Sequence, residues 1–196
     1  EIVKEEDADV ETPPPMGDPN KEVSEEEMDQ AMGLKGEGAE ALAEGRVEDA
    51  VDKLSQAIAL STNANLLATR GMAFLELRKP LATIRDANKA LEINPDSAKA
   101  FRARGKAEAM MGRWIAAVKD LATAQSIDFD EGIADLQKTI QVHADRIHKK
   151  EAKERAKKMK AEEKKRLQEL KRRKEEAIRR RKEEQEEEEA AARAAE

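Results

Sequence analysis

The chain of 196 residues predicts an all-α fold: three helix-turn-helix repeats, a capping helix and a long charged C-terminal helix. Three observations carry this expectation. KGEGAEALAEGRVEDAVDKLSQAIAL, RGMAFLELRKPLATIRDANKALEINP and RGKAEAMMGRWIAAVKDLATAQSID write one pattern three times, with Gly38, Gly71 and Gly105 spaced by 33 and 34 residues. Ala57, Ala90 and Ala124 keep the same interval, as do Ala50, Thr83 and Ala117. Punctuation agrees with it: Gly45 and Gly112 stop first helices, Pro80 opens a second helix, and Asn94-Pro95 closes that helix. Finally, neither proline nor glycine interrupts the chain between Ile133 and Glu196.

Residues 1–24 are acidic and carry Thr12-Pro13-Pro14-Pro15 and Pro19, so they read as an extended linker. Ser24 followed by Glu27 is a capping-box signal, which starts the first helix at Glu25 and carries it to Glu44. The repeats fill 25–131, divided near 31–63, 64–97 and 98–131. Small residues at fixed offsets allow two helix backbones to approach, and overpacking there costs about 1–3 kcal/mol. Leu34, Leu42, Val47, Val51, Leu54 and Ile58 fill the first copy; Leu67, Phe74, Leu77, Ile84 and Leu91 fill the second. Phe101, Met111, Trp114, Val118, Leu121 and Ile127 serve the third. Asp128-Phe129-Asp130 supplies a turn, after which Ile133, Leu136, Ile140 and Ile147 form the stripe of a capping helix over 132–148. Residues 149–196 read as a single charged helix held by pairs such as Glu151–Arg155, Glu154–Lys158, Glu162–Arg166 and Glu169–Arg173, fraying before Glu186-Glu187-Glu188-Glu189.

Composition narrows the function. Charged residues are 41% and aromatics 2%, too polar for one globule of this length. With no cysteine, disulfides, thiolate metal sites and cysteine nucleophiles are excluded. No run has the length of a membrane span and no leader pattern is present, so a cytoplasmic segment of a longer chain is expected, without membrane contact. His143 and His148 stand five apart, off the four-residue spacing of helical metal ligands, and read as surface residues. No catalytic residue, metal site or cofactor is expected; the chain reads as a binder rather than an enzyme. Lys171-Arg172-Arg173-Lys174 and Arg179-Arg180-Arg181-Lys182 raise nucleic-acid binding, but interleaved glutamates and a net charge of −6 weigh against it. A purely structural stalk is a further alternative.

The three copies resemble the tetratricopeptide repeat. That resemblance implies a concave face lined by first helices, where the phase puts Met32, Lys35, Ala39, Asn65, Thr69, Met72, Lys99, Arg102 and Lys106. In tetratricopeptide co-chaperones two Asn, two Lys and one Arg grip the terminal carboxylate of a chaperone's acidic C-terminal peptide. Here the lysine positions hold Lys35 and Lys99, the asparagine positions Ala39 and Thr69, and the arginine position Ala103, with Arg102 next to it as a partial substitute. This incomplete clamp argues against the C-terminal-peptide mode, and a generic scaffold for acidic C-terminal peptides stands as the alternative reading.

PPPMGDPNKEVSEEE, the three repeats and the charged helix together resemble the middle region of the Hip family, interacting proteins of the 70-kDa heat-shock chaperone. The resemblance implies a co-chaperone segment that binds the chaperone's nucleotide-binding (ATPase) domain and slows ADP release, with homodimerisation through a region outside the segment. A repeat module from a tetratricopeptide–thioredoxin fusion is the alternative parent. The contact set expected under this resemblance is Lys99, Arg102, Arg104, Lys106 and Arg113 with Lys149, Lys150 and Lys153, and Lys35, Thr69 and Met72 line the groove.

Overall fold

The computed structural model describes residues 2–4 and 14–194, with side chains to residue 187. Among the described residues seven helices follow in order: α1 (Glu25–Ala43), α2 (Val47–Leu60), α3 (Ala64–Glu76), α4 (Pro80–Ile93), α5 (Ala98–Met110), α6 (Trp114–Ile127) and α7 (Glu131–Ala194). No strand occurs among the described residues. The chain divides into two compact units, Glu1–Asp145 and Arg146–Glu196, and α7 contributes to both.

Each boundary has a local cause. Ser24 Oγ accepts from the Glu27 N–H at 3.2 Å while a Glu27 carboxylate oxygen accepts from the Ser24 N–H at 3.0 Å, so the expected capping box is formed. Asn63 and Ser97 cap α3 and α5 through Leu66 and Ala100. Pro80 occupies the first position of α4, where no N–H is needed. The turn after each first helix repeats with the sequence period. Gly45 and Gly112 have φ of +78° and +71°, and the equivalent residue of the second repeat is Arg78, at +56°. The next residue's N–H closes the turn each time, from Arg46 to Ala41, Lys79 to Phe74 and Arg113 to Glu108, all at 2.8 Å.

Alanine dominates the core, as closely stacked hairpins require. Ala50, Ala57, Ala87, Ala90, Ala117 and Ala124 are fully buried on second helices, with Ala100, Ala103 and Ala107 on α5. Leu54, Ile58, Leu67, Phe74 and Leu121 supply the bulk. The close approach expected at the glycines is tightest at Gly105, where a Cβ would stand 2.8 Å from Leu121 Cγ, and loosest at Gly71, with 3.5 Å to the Thr83 carbonyl. A separate cluster joins Ala117 and Leu121 to Ile133 and Ile140 of α7, flanked by Trp114, Val118 and Leu136. The first turns of α7 thus cover the third repeat.

Two expectations need correction. Ile127, assigned to the core, is exposed because it ends α6 beside the Asp128 turn. His143, assigned to the surface, is half-buried and stacks on Trp114 with ring centroids 4.4 Å apart. The charged helix runs to Ala194, with pairs such as Arg179–Glu183 at 3.4 Å and Lys182–Glu186 at 3.7 Å along its described side chains. Of the four pairs named from the sequence, Glu169–Arg173 is formed at 2.7 Å. In the described part of the expected linker, residues 14–24, Pro14 and Pro15 are hydrogen-bonded through their carbonyls to Arg85 and Arg70. Most of its acidic stretch, residues 5–13, lies outside the described residues. In the first unit the Val3 N–H also donates to the Met110 carbonyl at 2.8 Å.

Candidate functional site: a basic groove on the first helices

Among the expected groove residues, Lys99 of α5 meets Asn65 and Thr69 of α3. Lys99 Nζ, on the first turn of α5, donates to Asn65 Oδ1 at 3.1 Å and to Thr69 Oγ1 at 3.3 Å on α3. Met28, Met32 and Lys35 of α1 line an adjoining depression with Asn63 and Asn65. Met28 and Met32 are exposed there, whereas Met72 is half-buried against the core. Loss of water around the Lys99 ammonium lowers its pKa, and the like charges of Lys35 and Arg102 lower it further. Like charges held near one another in this way favour an anion between them.

The remaining basic residues are less alike than their clustering in sequence suggests. Arg102 sends Nη2 to the Asp128 carbonyl at 2.6 Å and to its carboxylate at 2.5 Å, so it is tied to the turn before α7. Asp130 lies 3.9 Å from its Nε. Arg104 is engaged by both Asp120 oxygens, at 2.6 and 2.8 Å, and by Asn88 Oδ1 at 2.8 Å. The Asp120 hydrogen bonds raise its pKa, and it lies over the Phe101 ring, so its guanidinium is committed within the repeats. Arg113 is partly exposed and pairs with Glu108 at 3.3 Å. Lys106 is half-buried on α5. Lys149, Lys150 and Lys153 are exposed on the portion of α7 that belongs to the second unit. No group of His, Asp and Glu among the described residues has the arrangement of a metal site. No helix among them is long and apolar enough to cross a membrane.

Two structural features of the surface were not anticipated. The retention of Arg102 by Asp128 depends on the path of a turn, which residue spacing does not reveal. The commitment of Arg104 to Asp120 could have been found, since the two stand at the same offsets as Arg70 and Asp86 one repeat earlier.

No protein-family model matches the chain. Among curated proteins it is 46% identical over 140 residues to the TPR repeat-containing thioredoxin TDX of Arabidopsis thaliana, covering 71% of this chain and 37% of the relative. It is 38% identical over 149 residues to Hsc70-interacting protein 1 of Drosophila melanogaster, covering 76% of this chain and 40% of the relative. The chain thus spans less than half the length of either relative. Among solved structures it is similar to the second TPR domain of Spaghetti (RPAP3) bound to an HSP90 peptide, with 30% identity and a TM-score of 0.50 over 53% of this chain and 90% of that one. It is also similar to the second TPR domain of human RPAP3 in complex with the HSP70 peptide SGPTIEEVD, with 27% identity and a TM-score of 0.54 over 59% of this chain and 98% of that one. With three helical hairpins in register at the period of its sequence, and with these likenesses, the chain belongs to the tetratricopeptide-repeat family.

Proposed function

We propose that the chain is a co-chaperone segment that binds the nucleotide-binding domain of a 70-kDa heat-shock chaperone and slows the release of ADP from it. The observation that carries this reading is the half-furnished groove. Lys35 and Lys99 hold the lysine positions of the clamp that the resemblance implies, but Ala39, Thr69 and Ala103 supply no charged or amide group at its other three, and Arg102 is held by Asp128. A terminal carboxylate seated there would lack most of its charge-assisted partners. A folded, acidic partner surface needs only basic side chains to meet it, which Lys99, Lys106 and Arg113 supply in the third repeat; Lys149, Lys150 and Lys153 are exposed on the second unit by themselves. The Drosophila relative's name, Hsc70-interacting protein, supports the choice of partner.

The mechanism is linkage. A protein that binds the ADP-holding arrangement of the ATPase domain more tightly than the open one shifts the population toward the former. A coupling of about 1–3 kcal/mol changes ADP affinity by roughly 5–150-fold. A second reading has its own observation: Lys99 is already oriented by Asn65 and Thr69, and the human RPAP3 domain with that fold is in complex with an acidic HSP70 peptide. Under that reading the groove takes a C-terminal acidic peptide through Lys35 and Lys99. The relative from Arabidopsis adds a third possible parent, a fusion with a thioredoxin. Co-precipitation with the isolated ATPase domain, loaded with ADP or with ATP, tests the first reading, and calorimetry with the acidic peptide tests the second. Retention of the ADP-loaded domain with weak peptide binding is expected. Submicromolar peptide binding without retention of the domain overturns the proposal in favour of the groove.

A further inference from the structure

The segment before α1 makes contacts that a spacer has no need to make. Arg70 is fully buried, with Nε and Nη2 on the two Asp86 oxygens at 2.7 and 2.9 Å. Its remaining nitrogen, Nη1, is satisfied by Ser55 Oγ at 3.1 Å and by the carbonyl of Pro15 at 3.0 Å. The neighbouring carbonyl, that of Pro14, accepts from Arg85 Nη2 at 2.7 Å. Two arginines of adjacent helices therefore read two successive main-chain carbonyls. Prolines suit that role, because their fixed φ keeps the segment extended before it binds and reduces the entropy lost on docking.

Further along, the fit becomes steric. Gly17 has φ +67°, and a Cβ there would stand 2.1 Å from Thr62 Oγ1 and 2.6 Å from the Ile58 carbonyl. The second neighbour is helix backbone and cannot swing aside, so only glycine is accommodated at this point. The chain then turns, with the Asn20 N–H donating to Asp18 Oδ1 at 2.9 Å. Lys21 Nζ ends the run between Glu27 at 2.8 Å and the Leu60 carbonyl at 3.4 Å. None of Ser55, Ile58, Thr62, Arg70 and Arg85 lines the groove described above.

We propose that the face formed by α2, α3 and α4, with Arg70, Arg85 and Thr62 as its determinants, is a second peptide-binding site for an extended Pro-Pro-x-Gly segment, which the chain fills with its own residues from Pro14 to Lys21 as a clasp. Recognition runs through main-chain carbonyls and one obligatory glycine rather than through charge complementarity. The site is independent of the chaperone reading and stands or falls without it.

The test uses the full chain carrying Gly17→Val, which displaces the clasp, and a fluorescein-labelled peptide with the sequence from Pro14 to Glu22. The peptide is expected to bind the variant and to bind the unaltered chain at least about tenfold more weakly, because a tethered segment competes at an effective concentration near millimolar. A peptide with valine in place of the glycine is expected to bind neither. A variant that keeps its helical circular dichroism yet binds no peptide overturns the proposal, as does equal binding by both chains. Should Gly17→Val lose its helices, Arg85→Ala decides: trypsin is expected to cleave at Lys21 faster in a chain of unchanged helicity, and an unchanged cleavage rate overturns the clasp.

Discussion

Arg70 and Asp86 meet through two hydrogen bonds of 2.7 and 2.9 Å with no solvent exposure on either side chain. The same offset recurs in every repeat. Arg104 pairs with Asp120 at 2.6 Å in the third, and in the first the signs are reversed, with Lys53 and Glu37 2.5 Å apart. One geometric position thus joins first to second helix three times, at three depths of burial.

Burial decides what each pair is worth. Asp86→Ala leaves an uncompensated guanidinium in the interior and is expected to cost about 3–5 kcal/mol. Lys53→Ala breaks a pair that is 40% and 55% exposed and is expected to cost less than about 1 kcal/mol. Asp120→Ala should fall between them. Urea denaturation of the three variants checks the order, and equal costs contradict it.

Arg78 is the one described residue other than glycine with positive φ. Its side chain is exposed, so replacing it removes no packing. Arg78→Gly is expected to relieve about 1 kcal/mol of backbone strain, offset in part by the extra freedom of glycine in the unfolded chain. A thermal melt should show Tm rising by a few degrees, and a fall would mean that the left-handed turn is not strained.

Glu27 carries a pH signature. The Lys21 ammonium and then the Ser24 N–H hold its carboxyl down to about 2, against an ordinary value of 4.5. The folded value is depressed, so the stabilisation is complete above about 4.5 and is lost as pH falls toward about 2. Lys21→Ala is expected to move the Glu27 midpoint upward, toward 4.5, in a carboxyl titration followed by NMR. An unmoved midpoint would show that Lys21 does not reach the cap in solution.

Removing everything after His148 should leave Tm nearly unchanged. Ile133, Ile140 and Ala144 are buried within the first unit, whereas the described side chains from His148 to Glu187 are exposed. A drop of more than about 10 °C, well beyond the shift that roughly 1 kcal/mol produces, would show that the removed helix stabilises the repeats.

Much of this fold was legible because small residues, turn glycines and caps are local signals that recur with the period. Gly45 and Gly112 announced their turns, and Ser24 with Glu27 announced the start of α1. Arg78 concealed the third turn of that kind, since only the surrounding hairpin forces an arginine into a glycine conformation. The pair series was hidden for another reason: Glu37 and Lys53 reverse the charges, so the repeat pattern does not match by residue type. The clasp left almost no sequence signal, because its hydrogen bonds use proline carbonyls that any residue could supply. At the groove, the contact of Lys99 with Thr69 joins two residues that the phase puts on first helices, while the capture of Arg102 by Asp128 depends on the turn between α6 and α7.

The most direct test of the central claim is the dissociation rate of fluorescent ADP from an isolated 70-kDa chaperone ATPase domain, measured with and without this chain. Slower release is expected in its presence, and Lys99→Glu should reduce the effect more at low salt than at high salt, because screening already removes part of the attraction. An unchanged rate with the chain demonstrably bound would make it an adaptor and contradict the nucleotide mechanism; no binding at all would contradict the choice of partner.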